Sequence, residues 1–266
     1  MDKALRKRIN GIKLFLMDMD GTVYVGGRKI PGAFEALDVL RSKGKSICYV
    51  TNNSSKSNPS YVARLASMGV YINENELYTS AQATCRYLST KQQGKKVFLL
   101  ATEDVANEFR RYGIPLTESD PDIVVICFDT SLSYDRLYKA CSFINEGKLY
   151  IASHPDNNCP AEGCPMPDVG SFIQMIKATL GKEPDVIIGK PYSGMAEAIV
   201  EKYGFARKEI AMVGDRLYTD ILFGVDNGFN SILVLSGETT PDMLASSGIR
   251  PTLVLDSFKD ILEYID

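Results

Sequence analysis

Short apolar runs alternate along this chain with stretches whose apolar positions recur every three to four residues. The run LFLMD at residues 14–18 is continuous and uncharged until its final aspartate, as expected of a strand buried on both faces. Pro31-Gly32 opens an amphipathic stretch to about Lys43, with Ala33, Ala36, Leu37 and Leu40 on one helical face, and Gly44 ends it. SICYVT at 46–51 reads as the next strand, and Asn58-Pro59 starts a helix that stops at Gly69. The middle of the chain keeps the rhythm. Strands are expected at 96–101, 122–129 and 148–153, and helices near 81–91, 103–112, 134–145 and 170–180. The last third adds strands at 186–189, 210–215, 231–237 and 252–256, with helices at 194–203, 219–227, 241–247 and 258–265. Such alternation predicts βαβ units and a mostly parallel sheet, an α/β fold. Residues 154–168 break the rhythm: they hold four prolines and no period, and long loops of this kind often carry function.

Composition narrows the function. With 266 residues, 45% hydrophobic, the chain can bury a sizeable core without disulfide or metal staples. Its net charge of −3 argues against a general nucleic-acid binder, which needs a basic surplus. No apolar run approaches the roughly 18 residues that span a bilayer. The basic start, MDKALRKRINGIK, lacks the apolar stretch of a signal peptide and reads as a short lead-in helix, so a cytoplasmic protein is expected. Of the six cysteines, Cys48, Cys85, Cys127 and Cys141 lie in apolar or amphipathic segments and read as small core residues. Cys159 and Cys164 lie near His154, but that spacing matches no common zinc pattern.

Four motifs stand at ends of expected strands. D-M-D-G-T at 18–22 places two carboxylates one residue apart, and Gly21 allows a turn that lets both face one point. Two close acids suit a nucleophile and a proton carrier, although an ordinary Asp-Gly turn looks the same in isolation. T-N-N-S-S at 51–55 offers hydroxyls, amides and N–H groups that suit an anion; alternatively it is an Asx/Ser turn capping the next helix. Gly189-Lys190-Pro191 supplies a fixed positive charge, or a surface lysine. G-D-R-L-Y-T-D at 214–220 puts Asp215 at a strand end and Asp220 in the first turn of a helix, where it could cap that helix or serve a magnesium site.

Taken together, Asp18-Met19-Asp20-Gly21-Thr22, Thr51, Lys190 and Gly214-Asp215 with Asp220 resemble the four motifs of the haloacid dehalogenase superfamily of phosphohydrolases. The Thr51-Asn52-Asn53-Ser54 form and G-D-x-x-x-T-D resemble its branch of NagD and the p-nitrophenyl phosphatases. The resemblance implies a Rossmann-like parallel-sheet core of residues 1–80 and 186–266, with an inserted α/β cap over 81–185 that sets substrate specificity. It fits the 138 residues between Thr51 and Lys190, too many for one crossover.

The resemblance also implies roles. Asp18 is the nucleophile that forms an aspartyl-phosphate, and Asp20 is the general acid and base. Mg2+ is held by the Asp18 carboxylate, the Asp20 backbone carbonyl and the Asp215 carboxylate, with Asp220 orienting water or Lys190 behind them. Thr51, Asn52, Asn53 and Lys190 hold the phosphate. Pro155-Asp156 and Pro167–Ser171 resemble the start and end of the branch's cap loop, which makes Asn157, Asn158 and Cys159 the candidate substrate contacts. His154 and Asp168 depart from the branch pattern, where asparagine and glycine are common. The implied substrate is a small phosphorylated metabolite such as a sugar phosphate, a nucleotide or p-nitrophenyl phosphate, and the implied assembly is a homodimer formed through the cap. Other readings share part of this chemistry: a phosphotransferase or mutase with the same first step, a phospho-aspartate receiver, a catalytically silent binding module, or a dehalogenase. Asp20 and the length of the chain disfavour the receiver.

Overall fold

A computed structural model describes residues 3–25, 28–161 and 163–266. The strands in chain order are β1 (Leu14–Met17), β2 (Tyr24–Val25), β3 (Arg28–Lys29), β4 (Ser46–Thr51), β5 (Leu77–Thr79), β6 (Val97–Leu100) and β7 (Ile123–Ile126). There follow β8 (Leu149–Ala152), β9 (Asn158–Cys159), β10 (Met166–Pro167), β11 (Val186–Ile187), β12 (Ile210–Gly214), β13 (Asn230–Val234) and β14 (Leu253–Leu255). The chain divides into two compact units. The first is Met1–Val50, Ala66–Leu77 and Ile199–Asp266; the second is Thr51–Leu65 and Tyr78–Ala198.

The first unit is built on a six-stranded sheet of order β14-β13-β12-β1-β4-β5. The pairings β1 with β4, β1 with β12, β12 with β13, and β13 with β14 are parallel. Every residue of β1, β12 and β13 is buried, as strands covered on both faces require. The helix Ala33–Ser42 contributes the stripe read from its sequence: Ala33, Ala36, Leu37 and Leu40 are all buried. Helix Lys3–Asn10 buries Ile9, and its Arg8 Nε donates to Asn230 Oδ1 at 2.6 Å.

The second unit carries a parallel sheet of order β11-β8-β7-β6. Phe98, Leu100, Val124, Ile126, Tyr150 and Ala152 meet Ala140, Ile144, Val169, Phe172 and Ile176 of the helices Tyr134–Asn145 and Val169–Leu180 in one core. Thr79, Thr102, Ser133 and Asp168 each cap a helix through the side chain. Each such cap contributes about 1 kcal/mol. The sheets and the helices between them confirm the α/β reading.

Three elements differ from expectation. Residues 219–227 are not one α-helix: a π-turn, Leu217–Ile221, precedes a short helix, Leu222–Asp226. Leu217 and Ile221 bury against Leu233, which anchors this wider turn. The final expected helix is a 3-10 run, Phe258–Tyr264, at whose start Ser257 N donates to Asp260 Oδ2 at 3.0 Å. The proline-rich stretch is not structureless, because β9 and β10 pair antiparallel, Cys159 opposite Met166. None of the six cysteines is in a disulfide; Cys48, Cys85 and Cys127 are buried, Cys141 and Cys159 half-buried, Cys164 exposed. Among the described residues no helix is long and apolar enough to cross a membrane.

Candidate active site

Register builds the first unit's acidic centre. β1 and β12 lie side by side with Met17 opposite Val213, so the residues that follow each strand emerge together. Asp18 N–H donates to Val213 O at 2.9 Å. The chain then turns at Gly21, whose φ is +86°, and a Cβ there would stand 2.3 Å from Asp215 Oδ2. Only glycine permits both the conformation and the approach. The π-turn brings Asp220 beneath the end of β12, where a Cβ on Gly214 would meet Asp220 Cβ at 2.3 Å. Asp18, Asp215 and Asp220 thus offer oxygens within 4.8 Å of one another. Asp215 and Asp220 are buried and Asp18 half-buried.

Three carboxylates this close repel when all are ionised. Burial, then the charge of Asp220, pushes the Asp215 carboxyl up to about 7, against the pull of the Glu238 N–H. That N–H donates to Asp215 Oδ2 at 2.7 Å, whereas Asp215 Oδ1 is buried with no hydrogen-bond partner among the described residues. A buried, unsatisfied carboxylate oxygen between two further acids fits a hard divalent cation, which takes oxygen ligands and cancels the repulsion. Asp20 is half-buried, bridges to Tyr24, and is not a member of the three-carboxylate group.

Sequence reasoning gave no role to Arg216 or Glu238. Arg216 Nε lies 2.9 Å from Glu238 Oε2. Burial opposes the guanidinium charge, but Glu238, Tyr218, Asp18 and Asp220 outweigh it and hold the group firmly protonated. An arginine directly after the strand-end Asp215 was a readable signal. Glu238 carried none, because only the tertiary fold brings residues 236–239 to Asp215.

The second unit gathers the polar motif residues. Thr51 Oγ1 accepts from Asn53 N at 3.1 Å, and Asn53 Oδ1 accepts from Ser55 N at 3.0 Å and Ser55 Oγ at 2.7 Å. The motif is therefore a chain of Asx/Ser-type turns, and the N–H of Asn58, which opens the next helix, donates instead to Glu108 Oε1 at 3.2 Å. Asn52 Oδ1 accepts from Lys190 N at 2.8 Å, while its Nδ2 donates to Lys190 O at 2.9 Å and to Asp156 Oδ1 at 3.0 Å. Gly189 permits this, since a Cβ there would lie 2.6 Å from Asn52 Oδ1. Thr51, Asn52 and Lys190 are all buried, and Lys190 is only 2% exposed.

His154 is fully buried in the same unit, its Nε2 3.2 Å from Ser54 Oγ and 3.4 Å from Asp168 Oδ1. Burial lowers its pKa, with Lys190 adding to that and Asp168 opposing it, so the imidazole is held neutral. Of the loop candidates, Cys159 is half-buried and its Sγ takes Asn53 Nδ2 at 3.3 Å. Asn157 and Asn158 are exposed; Asn157 serves through its carbonyl, which accepts from Asp168 N at 3.0 Å and Ser171 Oγ at 2.6 Å.

Comparison with known families decides the kinship. A family model described as haloacid dehalogenase-like hydrolase matches residues 15–115, and a second, described as HAD-hydrolase-like, matches 187–261. The matches cover all four motifs, and a solved relative aligns over 97% of this chain at 40% identity. The chain belongs to the haloacid dehalogenase-like hydrolases. This hydrolase is 33% identical to the chloroplastic phosphoglycolate phosphatase 1A of Arabidopsis thaliana, over 96% of this chain and 77% of that protein. Among solved structures it resembles 4-nitrophenylphosphatase of Thermotoga maritima, 40% identical with a TM-score of 0.94 over 97% of this chain and 99% of the other. It also resembles NagD of E. coli K-12, 31% identical with a TM-score of 0.87 over 94% and 98%. These likenesses make it a NagD-like member of the family.

Proposed function

We propose that this hydrolase is a Mg2+-dependent phosphatase of small phosphorylated metabolites that works through an aspartyl-phosphate on Asp18. The observation that carries the reading is the meeting of Asp18, Asp215 and Asp220 around an unpaired, buried carboxylate oxygen. The names of its relatives, phosphoglycolate phosphatase and 4-nitrophenylphosphatase, support a phosphate monoester as substrate.

In this reading the Asp18 and Asp215 carboxylates and the Asp20 carbonyl would hold Mg2+, with Asp220 behind them. When bound, it supplies positive charge that lets an anionic phosphate approach several carboxylates. The chain's own residues do the rest. Asp18 attacks phosphorus as the leaving oxygen departs, and Asp20 donates the proton that this oxygen needs. Asp20, now ionised, takes a proton from the water that attacks the aspartyl-phosphate, which releases phosphate and restores Asp18. Thr51, Asn52, Asn53 and Lys190 bind phosphate oxygens. Positioning and charge neutralisation of this kind do most of the work of phosphoryl transfer.

The reading extends to residues 81–185 as the substrate-selecting cap, with Asn157, Asn158 and Cys159 facing the organic part of the substrate, and to a cap-mediated homodimer in the cytoplasm. Six unbridged thiols support a reducing compartment.

The test is release of free phosphate from p-nitrophenyl phosphate and a panel of phosphorylated metabolites, with and without Mg2+. Turnover should require Mg2+, be abolished by Asp18→Asn and be cut severely by Asp20→Asn. Near-normal hydrolysis by Asp18→Asn would refute the assignment of the nucleophile.

A further inference from the structure

Residues 236–239 fold over Asp215 and are tied to it at several points. Glu238 N donates to Asp215 Oδ2 at 2.7 Å, Thr239 N to the Asp215 carbonyl at 3.2 Å, and Ser236 Oγ to Gly21 O at 2.8 Å. A Cβ on Gly237 would lie 2.0 Å from Asp215 Oδ2, so glycine is needed for so close a passage. The Glu238 carboxylate is in turn gripped by the stretch directly after Asp215. Arg216 Nε bonds its Oε2 at 2.9 Å, and the Tyr218 hydroxyl donates to its Oε1. A closed ring results: Asp215 continues into Arg216 and Tyr218, these hold the Glu238 side chain, and the Glu238 main chain holds one oxygen of Asp215.

We infer that Glu238 is a positioning residue for Asp215, clamped by Arg216 and Tyr218 so that its N–H engages Oδ2 and leaves Oδ1 free for the divalent cation. The buried, unpaired state of Oδ1 is the second, independent observation behind this assignment. The ring holds the carboxylate by its Oδ2. With one oxygen committed to the main chain, the other is the ligand. The inference rests on the reading of Asp215 as a metal ligand.

The experiment is titration of the whole protein with Mn2+, a magnesium substitute, reading the free ion by electron paramagnetic resonance. Partners that orient a ligand typically govern metal affinity by about 10–100-fold. Glu238→Ala should weaken Mn2+ binding about 10-fold, and Glu238→Gln, which keeps an acceptor, should weaken it less. Tyr218→Phe removes one donor and should weaken it roughly threefold, an effect of the size of one hydrogen bond; this variant also guards against a folding defect in Glu238→Ala. The constant for Mg2+ activation should rise in parallel, and by more than kcat at saturating Mg2+ falls. Mn2+ affinities of Glu238→Ala and Tyr218→Phe equal to wild type would overturn the inference while leaving the proposed function intact. Asp215→Asn separates the two: if it binds Mn2+ as well as wild type, the metal reading itself falls, and the inference with it.

Discussion

One side-chain amide, that of Asn52, holds both ends of the Lys190 main chain, accepting from its N–H at 2.8 Å and donating to its carbonyl at 2.9 Å. The pair is separated by 138 residues and buried. Asn52 therefore sets where Lys190 stands, and the lysine's charge is useful only if its place is fixed.

Asn52→Asp should lower kcat/KM sharply and also lower stability, because it buries a charge beside Asp156 and the Lys190 carbonyl. A carboxylate keeps the acceptor for Lys190 N–H, loses both donations, and faces Asp156 with like charge. Losing two buried bonds costs about 1–3 kcal/mol, which is roughly 10- to 100-fold in rate. A kcat/KM for p-nitrophenyl phosphate within twofold of wild type would count against this linkage.

His154 is the chain's single histidine, so a histidine contribution to stability has one source. Burial holds its pKa below the usual value. In the unfolded chain the imidazole takes up a proton near its ordinary value of about 6.5. Below that pH the unfolded state binds more protons, and stability falls as pH drops from about 7 toward the lower folded-state pKa. Asp215, held near a pKa of about 7, adds stability on the same acidification in both proteins, so the imidazole is read from the difference. In urea denaturation at pH 7.5 and 5.5, acidification should favour His154→Asn relative to wild type. Equal changes in both proteins would exclude the buried imidazole as a contributor.

The close approach of Asp18, Asp215 and Asp220 costs stability that a bound divalent cation would offset. Without a divalent cation, Asp215→Asn should raise the melting temperature by a few degrees, because it relieves repulsion worth on the order of 1 kcal/mol. The same variant should lose the stabilisation that Mg2+ gives wild type. Thermal melts in EDTA and in Mg2+ test both halves. A variant less stable than wild type in EDTA, yet still stabilised by Mg2+, would contradict the account.

The α/β alternation and the buried stripe of Ala33, Ala36, Leu37 and Leu40 were legible because periodicity reports burial directly. The strand-end motifs were legible because parallel strands leave their functional residues at carboxyl ends. The π-turn Leu217–Ile221 was not, since its width follows from Leu217 and Ile221 packing on Leu233 and from the close fit of Asp220 under Gly214. The β9–β10 pair was hidden by prolines, which mark a loop locally although two antiparallel residue pairs form across it. Glu238 was invisible for a third reason: its bonds to Asp215, Arg216 and Tyr218 join positions at least 20 residues apart.

The central claim is a covalent phosphoryl group on Asp18, and trapping it is the most direct test. Borohydride reduces an acyl phosphate to an alcohol, so enzyme quenched with it during turnover of p-nitrophenyl phosphate with Mg2+ should carry homoserine at position 18 by peptide mass spectrometry. No such mass shift should appear without substrate. A peptide that keeps unmodified aspartate at 18 under full turnover, with the label on another residue, would contradict the account.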